Sequence, residues 1–212
     1  MNKKIVMIGA GGHASVLADI LIGNGQSIYA VSSPEAPKNK ILASCGQHLI
    51  SDDEILGLSP DDVILVNGIG SIPGRTHRVS IANKFRSLGY EFMNIIAASA
   101  LVSTQCEIGN GVQILTRAII QPGCVIGDDV IINTGAIVEH DCQIGTGVHL
   151  APGVVLSGGV NIGQYTHLGT NSTVIQGLSV AENSVIGAGV TINKSIEVAS
   201  IVYPAKPYIR SL

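Results

Sequence analysis

The sequence predicts two domains of unlike architecture: a small parallel α/β domain over residues 1–92, then an all-β parallel β-helix over residues 93–212. Three observations lead there. Hydrophobic residues make up 46% of the 212-residue chain but aromatic residues only 3%, so the interior must be built from aliphatic side chains. Up to Tyr90, short β-like apolar runs alternate with helical stretches, the pattern of a parallel sheet with crossover helices. Beyond Tyr90 the apolar period becomes six, which neither a helix nor an ordinary strand uses.

In chain order, Lys4 to Ile8 reads as a strand, Ala14 to Ile22 as a helix and Ser27 to Val31 as a second strand. Val63 to Val66 reads as a further strand and Arg78 to Leu88 as a helix. Between the first strand and helix lies Gly9-Ala10-Gly11-Gly12-His13-Ala14. It matches GxGxxA, whose glycines let the backbone approach a phosphate while the helix N-terminus stabilises the charge. The domain is therefore Rossmann-like. An NAD site would need a ribose-binding acid about 20 residues on. That region reads Tyr29-Ala30-Val31-Ser32-Ser33, with Glu35 only beyond it, so a nucleotide other than NAD is expected. His13 reads either as a ligand contact or as an ordinary turn residue.

Stepping by six from Ile96 to Val198 visits eighteen positions, all aliphatic, among them Ile114, Ile132, Leu150, Leu168 and Ile186. Three hexads make one triangular coil of 18 residues, giving about six coils and a prism about 28 Å tall at roughly 4.8 Å per coil. The following residue is often small, as at Gly109, Gly127, Gly145, Gly163, Gly169 and Gly187, which suggests a tight corner there. Cys106, Cys124 and Cys142 lie 18 apart and should stack, packing as small residues like Ala100, Ala118 and Ala136 in the same slot. A nucleophilic Cys142, two residues from His140, is the functional alternative.

The segment Asn133 to Cys142 interrupts the repeat with Glu139-His140-Asp141. Imidazole is the natural general base near neutral pH, and an adjacent carboxylate can orient it. His167 should stack on His149, one coil apart. Zinc is not expected there, because no cysteine or acid completes a four-ligand set; solvated polar residues are the plainer alternative for all three histidines. The net charge of −3 offers no basic patch for nucleic acid. Mean hydropathy is +0.42, yet no apolar run reaches the roughly 18 residues of a membrane span. Gly9 cuts the apolar run Ile5 to Ile8 too short for a signal peptide. A cytoplasmic protein with four reduced cysteines is expected.

Gly9 to Ala14, Val66-Asn67-Gly68-Ile69-Gly70-Ser71, the run from Ile131 to Val160, and Tyr203-Pro204-Ala205-Lys206 together resemble the hexapeptide acyltransferases of bacterial surface-glycan (O-antigen, lipopolysaccharide) synthesis. The likeness spans essentially the whole chain and implies a left-handed β-helix. Within that family it points to the nucleotide-linked 4-amino-sugar N-acetyltransferases, with sialic acid O-acetyltransferases as the alternative. It implies that His140 is the general base, that Asp141 supports it, and that His13, Asn133 and His149 line the acceptor pocket. We place Gly9, Gly11, Gly12, Gly70 and Arg78 in the same pocket. The resemblance also implies a homotrimer with active sites between neighbouring β-helices. Acetyl-CoA would be held near Gly158, Thr170 and Ala188 and closed over by the tail at Lys206, with no metal and no NAD. Many relatives carry one or two acids after the second strand, where this chain has Ser32 and Ser33. A non-enzymatic binding β-helix would instead show Thr-x-Thr rungs, whereas Thr116, Thr134, Thr146 and Thr170 are scattered.

Overall fold

The structure, a computed structural model, describes residues 3–74 and 77–205. The first domain holds β1 (Lys4–Ile8), α1 (Gly12–Gly23), β2 (Ile28–Ser32), α2 (Lys40–Ala43), β3 (Gln47–Leu49), β4 (Val63–Asn67) and α3 (His77–Ser87). The four strands are parallel in the order β3-β2-β1-β4. β1 is apolar on both faces because both are covered. Met7 packs with Leu17, Ala18 and Leu21 of α1, while Val6 and Ile8 pack with Ala82 and Phe85 of α3. The order reverses between β1 and β4, and such a switch point leaves a crevice at the carboxyl ends of the strands. Two glycines shape it. Gly9 turns the chain at φ +93°, and a Cβ on Gly68 would lie 2.8 Å from both the Ala14 Cβ and the Ile8 carbonyl.

The second domain is a prism. Its three parallel sheets contain seven, six and five two-residue strands, eighteen in all, hence six coils of three. Face I runs Ile95–Ile96, Gln113–Ile114, Ile131–Ile132, His149–Leu150, His167–Leu168, Val185–Ile186 and Ile201–Val202. Face II begins at Leu101–Val102 and ends at Thr191–Ile192; face III begins at Glu107–Ile108 and ends at Ser179–Val180. Each inward aliphatic residue stacks on the one 18 positions away, as Ile132 does on Ile114 and Leu150, with exposures of 0% for all three.

Two expectations about the repeat are corrected. The glycines after the inward residues are not the tight-turn residues. They are small because coils touch: a Cβ on Gly145 would lie 2.6 Å from the Gln164 nitrogen, and one on Gly163 2.3 Å from that of Glu182. The left-handed residue comes three positions after the inward one, at every sixth residue from Gly111 to Gly189, and Arg117, Asp129, Asp141, Tyr165, Asn171 and Asn183 occupy it besides glycine. The period also fails at the C-terminal end, where Val198 is 71% exposed, whereas Ile96 keeps its register with Ile114 and is 38% exposed only because the stack begins there. Ile196 pairs with Val180 and Val202 with Ile186, each 16 residues apart, so the last turn is two residues short and Val198 falls outside the stack.

Phe92 bridges to Leu65 of β4 before Ile95 begins face I. The domains are joined along that face. Ile95, Ala97 and Leu115 share a core with α1, and Arg86 of α3 binds both carboxylate oxygens of the buried Asp129.

Candidate functional site

Polar side chains gather in two places. The first is the seam between face I and the carboxyl ends of β1 and β4. Gln113, on face I, donates its amide nitrogen to the Asn67 carbonyl at 2.8 Å, which turns its amide oxygen towards His13 Nε2, 2.7 Å away. His13 therefore donates from Nε2 and keeps a lone pair on Nδ1. Burial foremost, with the nearby Arg78 charge, lowers the His13 pKa to about 4 against the pull of the Gln113 hydrogen bond, so the ring is neutral at pH 7. Gly70 sits against His13, its Cβ position 3.5 Å from the His13 Cβ, while Gly11 and Gly12 face open space, as a backbone cradle requires.

Asn133, at the corner after face I, is oriented by its neighbour. Its Oδ1 accepts the Thr134 N–H at 2.8 Å, so Nδ2 donates to His149 Nε2 at 3.2 Å. Burial, with His167, His13 and Arg78 adding, pushes the His149 pKa down to about 3. His149 and His167 stack as expected, edge to face with ring centroids 4.8 Å apart. No group of three metal-ligating side chains stands around them among the described residues. Because Nε2 accepts from Asn133, the neutral ring carries its proton on Nδ1, which is buried and has no hydrogen-bond partner among the described residues.

Arg78 departs from expectation. Its side chain is buried, and Nη1 donates to the carbonyls of Asn67 at 2.8 Å and Ile69 at 2.7 Å. It pins the β4 loop from behind rather than lining the crevice. The carboxyl end of β2 also holds a residue that sequence reasoning missed. Ser32 donates to Asp52 Oδ1 at 2.7 Å, so an acid reaches this strand end from a 3₁₀ turn twenty residues later. Beside it, Ala10, Ser33, Glu35 and Lys38 line an open cavity of about 330 Å³.

The second place is the corner between faces II and III. His140 Nδ1 lies 2.8 Å from Asp141 Oδ2, and the two side chains are 63% and 71% exposed. Asp141 takes the left-handed turn position at φ 61°, which a short polar side chain tolerates and which aims it back at its neighbour. The carboxylate holds the proton on Nδ1 and leaves the Nε2 lone pair free. Gly158, one coil on, has no side chain because the imidazole occupies its place: a Cβ there would lie 2.6 Å from His140 Nε2. The cysteine ladder lies inside this corner. Cys106, Cys124 and Cys142 donate to the carbonyls of Gln121, Glu139 and Ser157 at 3.1, 3.1 and 3.3 Å. Cys142 is fully buried, and burial raises its thiol pKa as it pushes that of Cys124 up to about 12, the environment of a packing residue rather than a nucleophile.

The N–H groups of Gly158, Thr170 and Ala188 have no backbone partner among the described residues, and each stands two positions after an inward residue. Not every corner does so: the equivalent N–H groups of Asn110 and Thr134 donate to Asp128 and Asn133, and Pro122 and Pro152 have none. Gly158 belongs to the His140 corner, whereas Thr170 and Ala188 belong to the corner after face I. Lys206 lies outside the described residues. In a triangular prism the His140 corner stands opposite face I. One chain therefore brings together His13, Asn133, His149 and the Gly9–Gly12 turn, and sets His140 and Asp141 on its far side.

Residues 4–84 match the PglD N-terminal domain, and residues 105–140 and 124–158 match the bacterial transferase hexapeptide (six repeats). Comparison with curated proteins finds no match. Among solved structures, the acetyltransferase domain of PglB from Neisseria gonorrhoeae FA1090 is 30% identical with a TM-score of 0.83, over 98% of this chain and 100% of that one. The GDP-perosamine N-acetyltransferase of Caulobacter crescentus, solved as a histidine-to-alanine mutant with CoA and GDP-perosamine, is 31% identical with a TM-score of 0.84, over 97% of each chain. WeeI from Acinetobacter baumannii AYE, at 18% identity and a TM-score of 0.80 over 92% and 93% of the two chains, shares the fold. The likeness supplies the left hand of the β-helix, which a period of six leaves open. Matching in both halves and over nearly its full length, the chain belongs to the hexapeptide-repeat sugar acetyltransferases.

Proposed function

We propose that this protein transfers an acetyl group from acetyl-CoA to the amine of a nucleotide-linked amino sugar, in a homotrimer whose active sites lie between neighbouring prisms. The observation that carries the reading is the placement of the His140–Asp141 pair opposite face I, where a second copy can present its own face I to it. The PglB domain has been solved with acetyl-CoA and the Caulobacter enzyme with CoA and GDP-perosamine, which supports the choice of substrates.

His140 Nε2 accepts the proton of the attacking amine, and Asp141 stabilises the imidazolium through Nδ1. A C–N bond forms at the thioester carbonyl, the C–S bond breaks, and the proton passes from Nε2 to the departing sulfur. The Gly9–Gly12 turn and the N-terminus of α1 take the diphosphate, while His13, Asn133 and His149 line the sugar. The free N–H of Gly158 approaches the developing oxyanion, and those of Thr170 and Ala188 hold the pantetheine amides. The test is a panel of UDP-, GDP- and dTDP-linked 4-amino sugars with acetyl-CoA, followed by thiol release. One nucleotide should be clearly preferred. Turnover of free sialic acid, with none of the nucleotide sugars consumed, would replace this reading with O-acetylation.

A further inference from the structure

A second polar cavity takes no part in these roles. Its volume is about 470 Å³, and it lies where the Ser71–Gly74 loop and the start of α3 face the prism corner at Tyr165–His167. None of Gly9–His13, Asn133 and His149 lines it.

Three independent features converge there. Arg78 is 6% exposed, and its Nη2 has no hydrogen-bond partner among the described residues although its Nη1 has two. No carboxylate stands within ion-pair distance of it among the described residues, because Asp129 gives both oxygens to Arg86. A buried guanidinium with a free N–H edge is costly unless something accepts from it. His167, on the opposite wall, has a buried Nδ1 that is also without a partner among the described residues. Tyr165 lies beside it with φ 58°, an aromatic residue in the left-handed region, where the coils below and above carry Gly147 and Asn183. Strain of that kind gathers where a side chain is needed for a ligand. Ile72, Pro73, Val79 and Val185 supply apolar wall, and Ser71, Thr166 and Asn183 add polar side chains to the lining.

We propose that this cavity binds the anionic oxygen group, phosphate or carboxylate, of a small molecule with an apolar body, gripped by Arg78 Nη2 and His167 and separate from the acceptor crevice. The N-terminal end of α3, with no acid in its first turn, adds to the positive potential. Because the other nitrogen of Arg78 holds the Asn67 and Ile69 carbonyls, the occupant acts on the β4 loop beside His13.

The inference does not rest on the acetyltransferase reading, and its test is binding alone. The full-length protein is titrated calorimetrically with inorganic phosphate and, separately, with benzoate, each with and without saturating UDP, GDP or dTDP. At least one probe should bind with a Kd of about 1 mM or tighter. That affinity should persist with nucleotide present and fall at least about tenfold in both His167→Phe and Val79→Trp, the latter filling the cavity from its edge. Phosphate binding with no benzoate binding would mark a phosphate ligand, and the converse a carboxylate. Three results would overturn the proposal: no binding of either probe, equal binding in a folded Val79→Trp protein, or complete displacement by a nucleotide, which would return the anion to the acceptor's own diphosphate.

Discussion

Adding one methyl group to Gly158 should cost catalysis rather than stability. The new Cβ would lie 2.6 Å from His140 Nε2 and Cε1, against the 3.4 Å at which ordinary contact begins, so the ring must move by about 0.8 Å. His140 is 63% exposed and free to swing outward, so the fold should lose less than about 1 kcal/mol. A base displaced by roughly 1 Å loses on the order of 100-fold in rate, or about 2.7 kcal/mol of transition-state stabilisation. Thiol release at saturating substrates should show kcat for Gly158→Ala reduced about 100-fold. Calorimetric CoA affinity should stay within about threefold, because alanine keeps the backbone N–H. The control is a double-mutant cycle: in a His140→Ala background, itself expected to lose about 10² to 10⁴ in kcat, Gly158→Ala should cost almost nothing further. A Gly158→Ala enzyme with nearly full kcat, or additive losses in the double variant, would refute the placement of the ring.

Three other outcomes follow from the same geometry. Cys142→Ala should keep most activity, since Ala136 fills the equivalent slot; loss of activity in a folded variant would restore the covalent alternative. Arg86→Ala leaves the buried Asp129 carboxylate unpaired and should destabilise the chain by about 3 kcal/mol in urea melts, with a loss under about 1 kcal/mol counting against the clamp. Folding lowers the pKa values of His13 to about 4 and His149 to about 3, so between pH 6.5 and those values the unfolded chain binds more protons than the native one. Stability should thus be flat with respect to these groups above pH 7 and fall as pH drops below 6.5, by about 1.4 kcal/mol per pH unit for each histidine. His149→Gln should lose less between pH 7 and pH 5 than wild type; equal losses would contradict the buried neutral ring.

The sequence carried the prism plainly because a stacked coil demands an aliphatic residue at the same slot in every rung, and that demand repeats until it cannot be mistaken. It carried the C-terminal end poorly. Val198 satisfies the period by composition alone, while the two-residue deletion that displaces it changes no residue type. His140 and Asp141 were legible since charged neighbours stand out against an apolar repeat. Arg78 was misread because a basic residue near a glycine-rich loop looks the same in sequence whether it faces ligand or carbonyls. Asp52 was invisible for a related reason: it reaches β2 through tertiary folding, and no local spacing announces it. Gln113, which orients His13, occupies an outward strand position that carries no pattern.

The separation of His140 from His13 within one chain makes a quantitative prediction about mixtures. Suppose a site takes His140 from one protomer and His13 from its neighbour around a closed threefold ring. His140→Ala and His13→Ala homotrimers then each have three crippled sites. Equal amounts, denatured together and refolded, give homotrimers as about a quarter of the population and mixed trimers as about three quarters. Going round any mixed ring, one boundary joins the two kinds in each direction, and in one direction both contributed side chains are wild type. One site in three is therefore intact, and the mixture should recover about a quarter of wild-type kcat per protomer. A site built within one chain would recover nothing, because every protomer would carry its own lesion. Activity near that quarter, appearing only after co-refolding and not on simple mixing, is the expected result; residual activity equal to the mean of the two variants would refute a shared site.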